Sequence, residues 1–168
     1  MPKIIKNLEN RLIEEANRQI DEVGYGATTI RSIAKACGVG VGTVYNYFTS
    51  KEELIAIYLL KDWNGCMTAI NAVSAYSDSP APVLRCIYDQ LCQFSRRHEN
   101  IFRDEGAVSV FAGSFSRYHT LLRRQLAQPL QKFCTDEFTR DFVTEALLTW
   151  TMAGKSFDEI YGVICKVI

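Results

Sequence analysis

The 168-residue chain predicts an all-α fold: an N-terminal three-helix helix-turn-helix module joined to a helical body, with about nine helices in all. Three observations carry this. Apolar residues recur at three- and four-residue steps along most of the chain, without the alternation of half-buried strands. Two short apolar-periodic segments meet at a turn containing Gly38, the geometry of two crossing helices. Ser50-Lys51-Glu52-Glu53 and Ser156-Phe157-Asp158-Glu159 both have capping-box spacing, in which hydroxyl and carboxylate satisfy backbone N–H groups that a helix start leaves unpaired.

The first helix is predicted from about Lys6 to Val23, with Leu8, Leu12, Ala16, Ile20 and Val23 along one side and Gly24 and Gly26 ending it. Thr28 and Thr29 offer N-caps for a short helix carrying Ile30, Ile33 and Ala34, which ends near Cys37 because Gly38 suits the left-handed turn position. A second short helix follows from about Val41 to Phe48. Ile33, Cys37, Val39 and Val44 are apolar where this pair packs inward, and Ala34 is small where the helices cross. The Ser50 box starts a long helix with Ile55, Leu59, Trp63, Cys66 and Ile70 in one stripe.

Asp78-Ser79-Pro80-Ala81-Pro82 marks a loop. Further helices are expected near Val83–His98, Ile101–Gly113, Ser116–Cys134, Asp136–Ala153 and Phe157–Val167, with Pro129 kinking or dividing the third of these. The expected domains are residues 1–50 and 51–168.

Composition narrows the function classes. Lys and Arg together number 19, as do Asp and Glu, so the net charge is zero and the broad basic footprint of a nucleic-acid binder is missing. Six cysteines are widely spaced, with no Cys-x-x-Cys pair and no zinc-ligand cluster, so neither a metal nor a cofactor is expected. No nucleophile elbow or phosphate loop points to an enzyme. No apolar stretch suits a membrane span or a signal peptide, which implies a cytoplasmic protein.

The decisive residues are Gly26-Ala27-Thr28-Thr29-Ile30-Arg31-Ser32-Ile33-Ala34-Lys35-Ala36-Cys37-Gly38-Val39, then Gly42-Thr43-Val44-Tyr45-Asn46-Tyr47-Phe48 and Ser50-Lys51-Glu52-Glu53-Leu54. In this register they resemble the DNA-binding module of TetR-family transcriptional regulators, over about the first third of the chain. The resemblance implies that residues 1–50 bind double-stranded operator DNA and that residues 51–168 bind a small-molecule effector and form a homodimer. It implies base contacts from Thr43 and Tyr45, and phosphate contacts from Tyr47 and Lys51. Asn46 can pair bidentately with adenine if it faces the groove, Arg31 can reach guanine or a phosphate, and Thr28 or Thr29 can contact phosphate. Tyr45 and Tyr47 also admit a reading as packing residues, Lys51 as a capping cation, and Arg31 as the partner of a local carboxylate.

One departure from the family pattern stands out. Gly40 and Val41 replace the polar residues common there, so the recognition segment carries no charge. DNA binding should therefore depend on salt less steeply than in a basic relative, because fewer counterions are released.

For the body, the expected dimer face uses Phe142, Leu147, Trp150, Phe157, Ile160 and Ile164, since the last helix is apolar around more than half its circumference. Trp63, Met67, Tyr88, Cys92, Phe111, Phe115, Tyr118 and His119 are distributed so that they can line a pocket for an aromatic or lipophilic effector. A repressor released by its effector through movement of the long helix is the expected mechanism; the alternative is a relative that acts through a protein partner or as an activator.

Overall fold

The structure, a computed structural model, describes residues 7–168 and the side chains of all of these except 113–117. The described residues form nine α-helices and one short 3-10 turn, with no strand: α1 Leu8–Val23, α2 Ile30–Cys37, α3 Val41–Tyr45, α4 Lys51–Tyr76, α5 Pro80–Arg97, α6 Glu99–Phe102, α7 Glu105–Ala127, the 3-10 turn Gln128–Leu130, α8 Glu137–Met152 and α9 Phe157–Ile164. The all-helical expectation is met.

Helix ends follow local chemistry. Gly24 (φ 86°) and Gly38 (φ 70°) end α1 and α2 in the left-handed region that favours glycine. At the start of α2, Thr29 and Ser32 cap each other's backbone N–H groups reciprocally. The Ser50 hydroxyl accepts from Glu53 N–H at 3.1 Å, while the Glu53 carboxylate reaches back to the Thr49 N–H and hydroxyl. The Ser156–Glu159 box forms as expected at α9, and Asp136 caps α8. At the other end of α4, the Lys132 ammonium donates to the carbonyls of Ser74, which also accepts from Ser77 N–H, and of Ser77 just beyond the helix.

Three elements differ from expectation, the first being α5, which begins at Pro80, so that Pro80-Ala81-Pro82 open the helix rather than belong to the loop. The segment 101–134 was predicted to break between Gly113 and Ser116, but the backbone stays helical there and breaks instead around Asp104, whose carboxylate accepts from Ala107 N–H at 3.0 Å and so starts α7. A glycine inside a helix costs only about 1 kcal/mol, less than a favourable cap and continued packing return. In addition, α3 ends at Tyr45 rather than Phe48: Tyr47 and Phe48 both donate to the Val44 carbonyl in a turn that carries Phe48 into the core. Pro129 lies in the 3-10 turn that ends α7.

By packing, the described chain forms two units, divided inside α4 and α7. The first is the described part of Met1–Lys61 with His98–Ala112; the second is Asp62–Arg97 with Gly113–Ile168. The first unit's core joins Leu12, Ala16 and Ile20 of α1 to Ile33 and Ala34 of α2, Val44, Phe48, Leu54 and Ile55, and takes in Ile101 and Ala107. His98 is buried there, edge-on to Tyr58 at 5.0 Å. The 1–50 segment thus has part of its core supplied from α6 and α7. The second unit's core gathers Trp63, Cys66 and Ile70 with Val83, Leu84, Ile87, Leu126, Leu130, Val143, Leu147, Ile160 and Ile164. No helix among the described residues is long and apolar enough to cross a membrane.

Candidate nucleic-acid interface

The α2–α3 pair is fixed from its buried side. Ile33, Ala34, Cys37 and Val44 point into the first core, and the turn is held by Gly38 N–H to the Lys35 carbonyl (3.2 Å) and Val39 N–H to the Ala34 carbonyl (3.0 Å). That inward anchoring leaves Arg31, Tyr45, Asn46 and Tyr47 exposed, with Thr43 and Lys51 half-buried. Tyr45 and Tyr47 keep 53% and 44% of their surface open to solvent, so neither is a core residue.

Thr29, Arg31, Val41, Tyr45, Ser50 and Lys51 line one open groove of about 460 Å³. The structure thus brings together four of the sequence-predicted contacts, Thr29, Arg31, Tyr45 and Lys51, while Thr43, Asn46 and Tyr47 lie outside the lining. Thr28 borders the groove but is fully buried, with its hydroxyl donating to the Gly24 carbonyl at 2.9 Å. Of the alternatives Thr28 or Thr29, only Thr29 is exposed to reach a phosphate. Gly42 on α3 is also exposed, and a Cβ there would meet nothing within 4 Å.

Lys51 is tied more closely than its sequence position suggested. Its ammonium donates to the Tyr25 carbonyl at 2.8 Å and lies 3.8 Å from the Tyr25 ring centroid. Burial pushes this ammonium down from the usual lysine range, against the nearby Glu52 and Asp104 carboxylates. The Tyr25 hydroxyl in turn donates to Glu52 at 2.9 Å. Sequence reasoning missed Tyr25 because its partners lie 26 and 27 residues away.

In the second unit, the residues expected on the dimer face divide into two sets. Leu147, Ile160 and Ile164 are buried in the unit's own core, so they cannot also form an outer surface; this corrects their expected placement. Phe142 and Trp150 remain 49% and 51% exposed, in line at four-residue steps with Phe138, and Met152, Val163 and Val167 are exposed as well. Phe157 is half-buried, stacked on Tyr161 at 5.2 Å.

The expected pocket residues also separate. Trp63 is buried, donating to Gln125 at 2.7 Å, and Met67 and Tyr88 pack on the same core. Cys92 is half-buried one helical turn from Tyr88. His119 pairs with Glu145 at 3.4 Å, and Tyr118 is 46% exposed. Phe111 packs against the first unit's core, and the Phe115 side chain lies outside the described residues. Burial raises the thiols of Cys37, Cys66 and Cys86 above their ordinary range, which disfavours the reactive thiolate. Among the described residues no group of three or more His, Cys, Asp and Glu could hold a metal ion.

A short exposed helix set by a glycine turn on a buried partner helix defines a helix-turn-helix protein. Residues 12–56 match the family of bacterial regulatory proteins called tetR. The chain is 30% identical over 164 residues to the HTH-type transcriptional regulator YuxN of Bacillus subtilis, covering 98% of this chain and 52% of that protein. It is 28% identical over 103 residues to the regulator SAR2658 of Staphylococcus aureus, covering 61% of this chain and 56% of that one. The chain thus spans about half the length of the curated relatives it matches.

Solved structures share the fold. The transcriptional regulator SCO7518 of Streptomyces coelicolor superposes with a TM-score of 0.71 at 15% identity, over 94% of this chain and 96% of that one. Thermus thermophilus FadR, a TetR-family repressor solved in complex with lauroyl-CoA, does so with a TM-score of 0.65 at 19% identity, over 94% and 91%.

Proposed function

We propose that the chain is a cytoplasmic, non-enzymatic transcriptional regulator that binds a palindromic operator as a homodimer and represses until a small lipophilic or aromatic effector releases it. The observation that carries the reading is the groove in which Thr29, Arg31, Tyr45 and Lys51 converge beside an exposed reading helix. Phosphate-directed groups on its rim fix the register on the duplex, and Thr43, Tyr45 and Asn46 read base edges in the major groove. Because α3 has only five residues, one module covers few base pairs, and two copies about 34–36 Å apart are needed for specificity. The exposed Phe138, Phe142 and Trp150 supply the apolar surface for that pairing.

The lipophilic effector draws support from the aromatic core around Trp63 and Tyr88, and from the lauroyl-CoA bound by the Thermus thermophilus protein of the same fold. Because α4 belongs to both packing units, its displacement by an effector would alter the seat of α3, and effector and operator would weaken each other's binding by the same factor. Selection from a random duplex pool, followed by footprinting, tests the reading. An enriched inverted repeat, released by an acyl-CoA series, is the expected result. Enrichment of no sequence would overturn it.

A further inference from the structure

We propose that Tyr25 is a positioning residue for Lys51, holding its ammonium at the rim of the groove, ready for a backbone phosphate; the inference rests on the DNA-binding reading above. Lys51 is the first residue of the 26-residue α4. A helix N-terminus carries partial positive charge, so a cation there is placed against the dipole, and a lysine with four rotatable bonds would otherwise swing into water. Here the side chain is held at two points: one N–H is donated to the Tyr25 carbonyl at 2.8 Å, and the ring face lies 3.8 Å away. An ammonium has three N–H donors, so this arrangement leaves donors for a phosphate while most of the rotamer freedom is already lost.

The same tyrosine manages the neighbouring anion. Its hydroxyl donates to Glu52 Oε1 at 2.9 Å, adding to the hydrogen bonds from Ser50 and the backbone that hold this groove-lining carboxylate. The ring is itself fixed: Tyr25 is buried in the first unit's core. A rigid ring thus sets a flexible cation.

The test is a salt series of binding to a mixed-sequence duplex, which suits a phosphate contact, by the full chain and by Tyr25→Leu, Tyr25→Phe and Lys51→Met, with each tyrosine variant also combined with Lys51→Met. Lys51→Met should lower affinity about tenfold and flatten the log-log salt slope by about 0.9. Tyr25→Leu, which removes the ring but leaves the backbone carbonyl, should reproduce about a two- to fivefold part of that loss alone and add little to Lys51→Met. Tyr25→Phe keeps ring and carbonyl but releases Glu52, and should weaken binding about twofold only when Lys51 is present. Equal losses from the tyrosine variants in both backgrounds, with the slope changed by Lys51→Met alone, would overturn the positioning role and leave the DNA-binding reading intact. An unchanged slope in Lys51→Met would remove the phosphate contact and the inference together. A wild type that binds no duplex would overturn both readings.

Discussion

The α2–α3 face and the α8–α9 face both present large aromatic side chains to solvent, but of opposite character. On the first, Tyr45 and Tyr47 carry hydroxyls and stand beside Arg31, Asn46 and Lys51. On the second, Phe138, Phe142 and Trp150 stand beside Met152, Val163 and Val167. An aromatic with a polar tip suits a wet, hydrogen-bonding groove, whereas an apolar row gains only when another apolar surface excludes water from it. The contrast teaches that exposure alone does not identify a site; the chemistry around the exposed ring does.

This contrast can be broken in four ways, in falling order of effect. Leu147→Ala, on the buried side of α8, should lower unfolding free energy by about 2–5 kcal/mol in denaturant melts, since it empties the second core. Trp150→Glu, three residues on but facing outward, should leave the melt nearly unchanged while weakening self-association by about 2 kcal/mol or more in analytical ultracentrifugation. If the two variants behaved alike, the division of α8 into inner and outer faces would be wrong.

Tyr45→Ala should reduce discrimination between operator and mixed-sequence duplex by about 1–3 kcal/mol in competition binding, with the sedimentation profile unchanged. The smallest effect concerns the α9 cap. The Ser156 N–H and hydroxyl, with Lys155, hold the Glu159 carboxyl at about 2, below its ordinary 4.5. A depressed folded-state value means that the stability contribution is present above pH 4.5 and is lost as pH falls toward 2. Between neutral pH and about pH 3, the Tm of the wild type should therefore fall slightly further than that of Glu159→Gln.

What could be read in the sequence was local. Gly38, the Ser50 and Ser156 boxes and the stripe of α1 depend on residues within a few positions of one another, and all formed as expected except that Val23, at the end of the stripe, is exposed. What could not be read depended on distant partners. Two adjacent threonines look alike until Gly24 and Ser32 decide that Thr28 turns inward and Thr29 caps α2. A helix such as α8, apolar on several sides, does not reveal which stripe the core will take, so Leu147 was grouped with Trp150. Gly113 and Ser116 looked like punctuation, and the stronger signal, the Asp104 cap, sat inside a stretch whose apolar period continued across it. Lys51 was legible as a cation at the site, but its hold on Tyr25 spans the whole helix-turn-helix.

Gly42 has a consequence for how such a protein could diversify. It sits within the reading helix, exposed, with open space where a side chain would begin. Its backbone is helical, so replacing it adds no strain and favours the helix by up to about 1 kcal/mol. The position is in effect an unwritten letter in the helix proposed to read DNA. A single codon change there could install a donor, an acceptor or a methyl group on that helix, giving a duplicated copy a new address while leaving its core and its exposed α8–α9 face as they are.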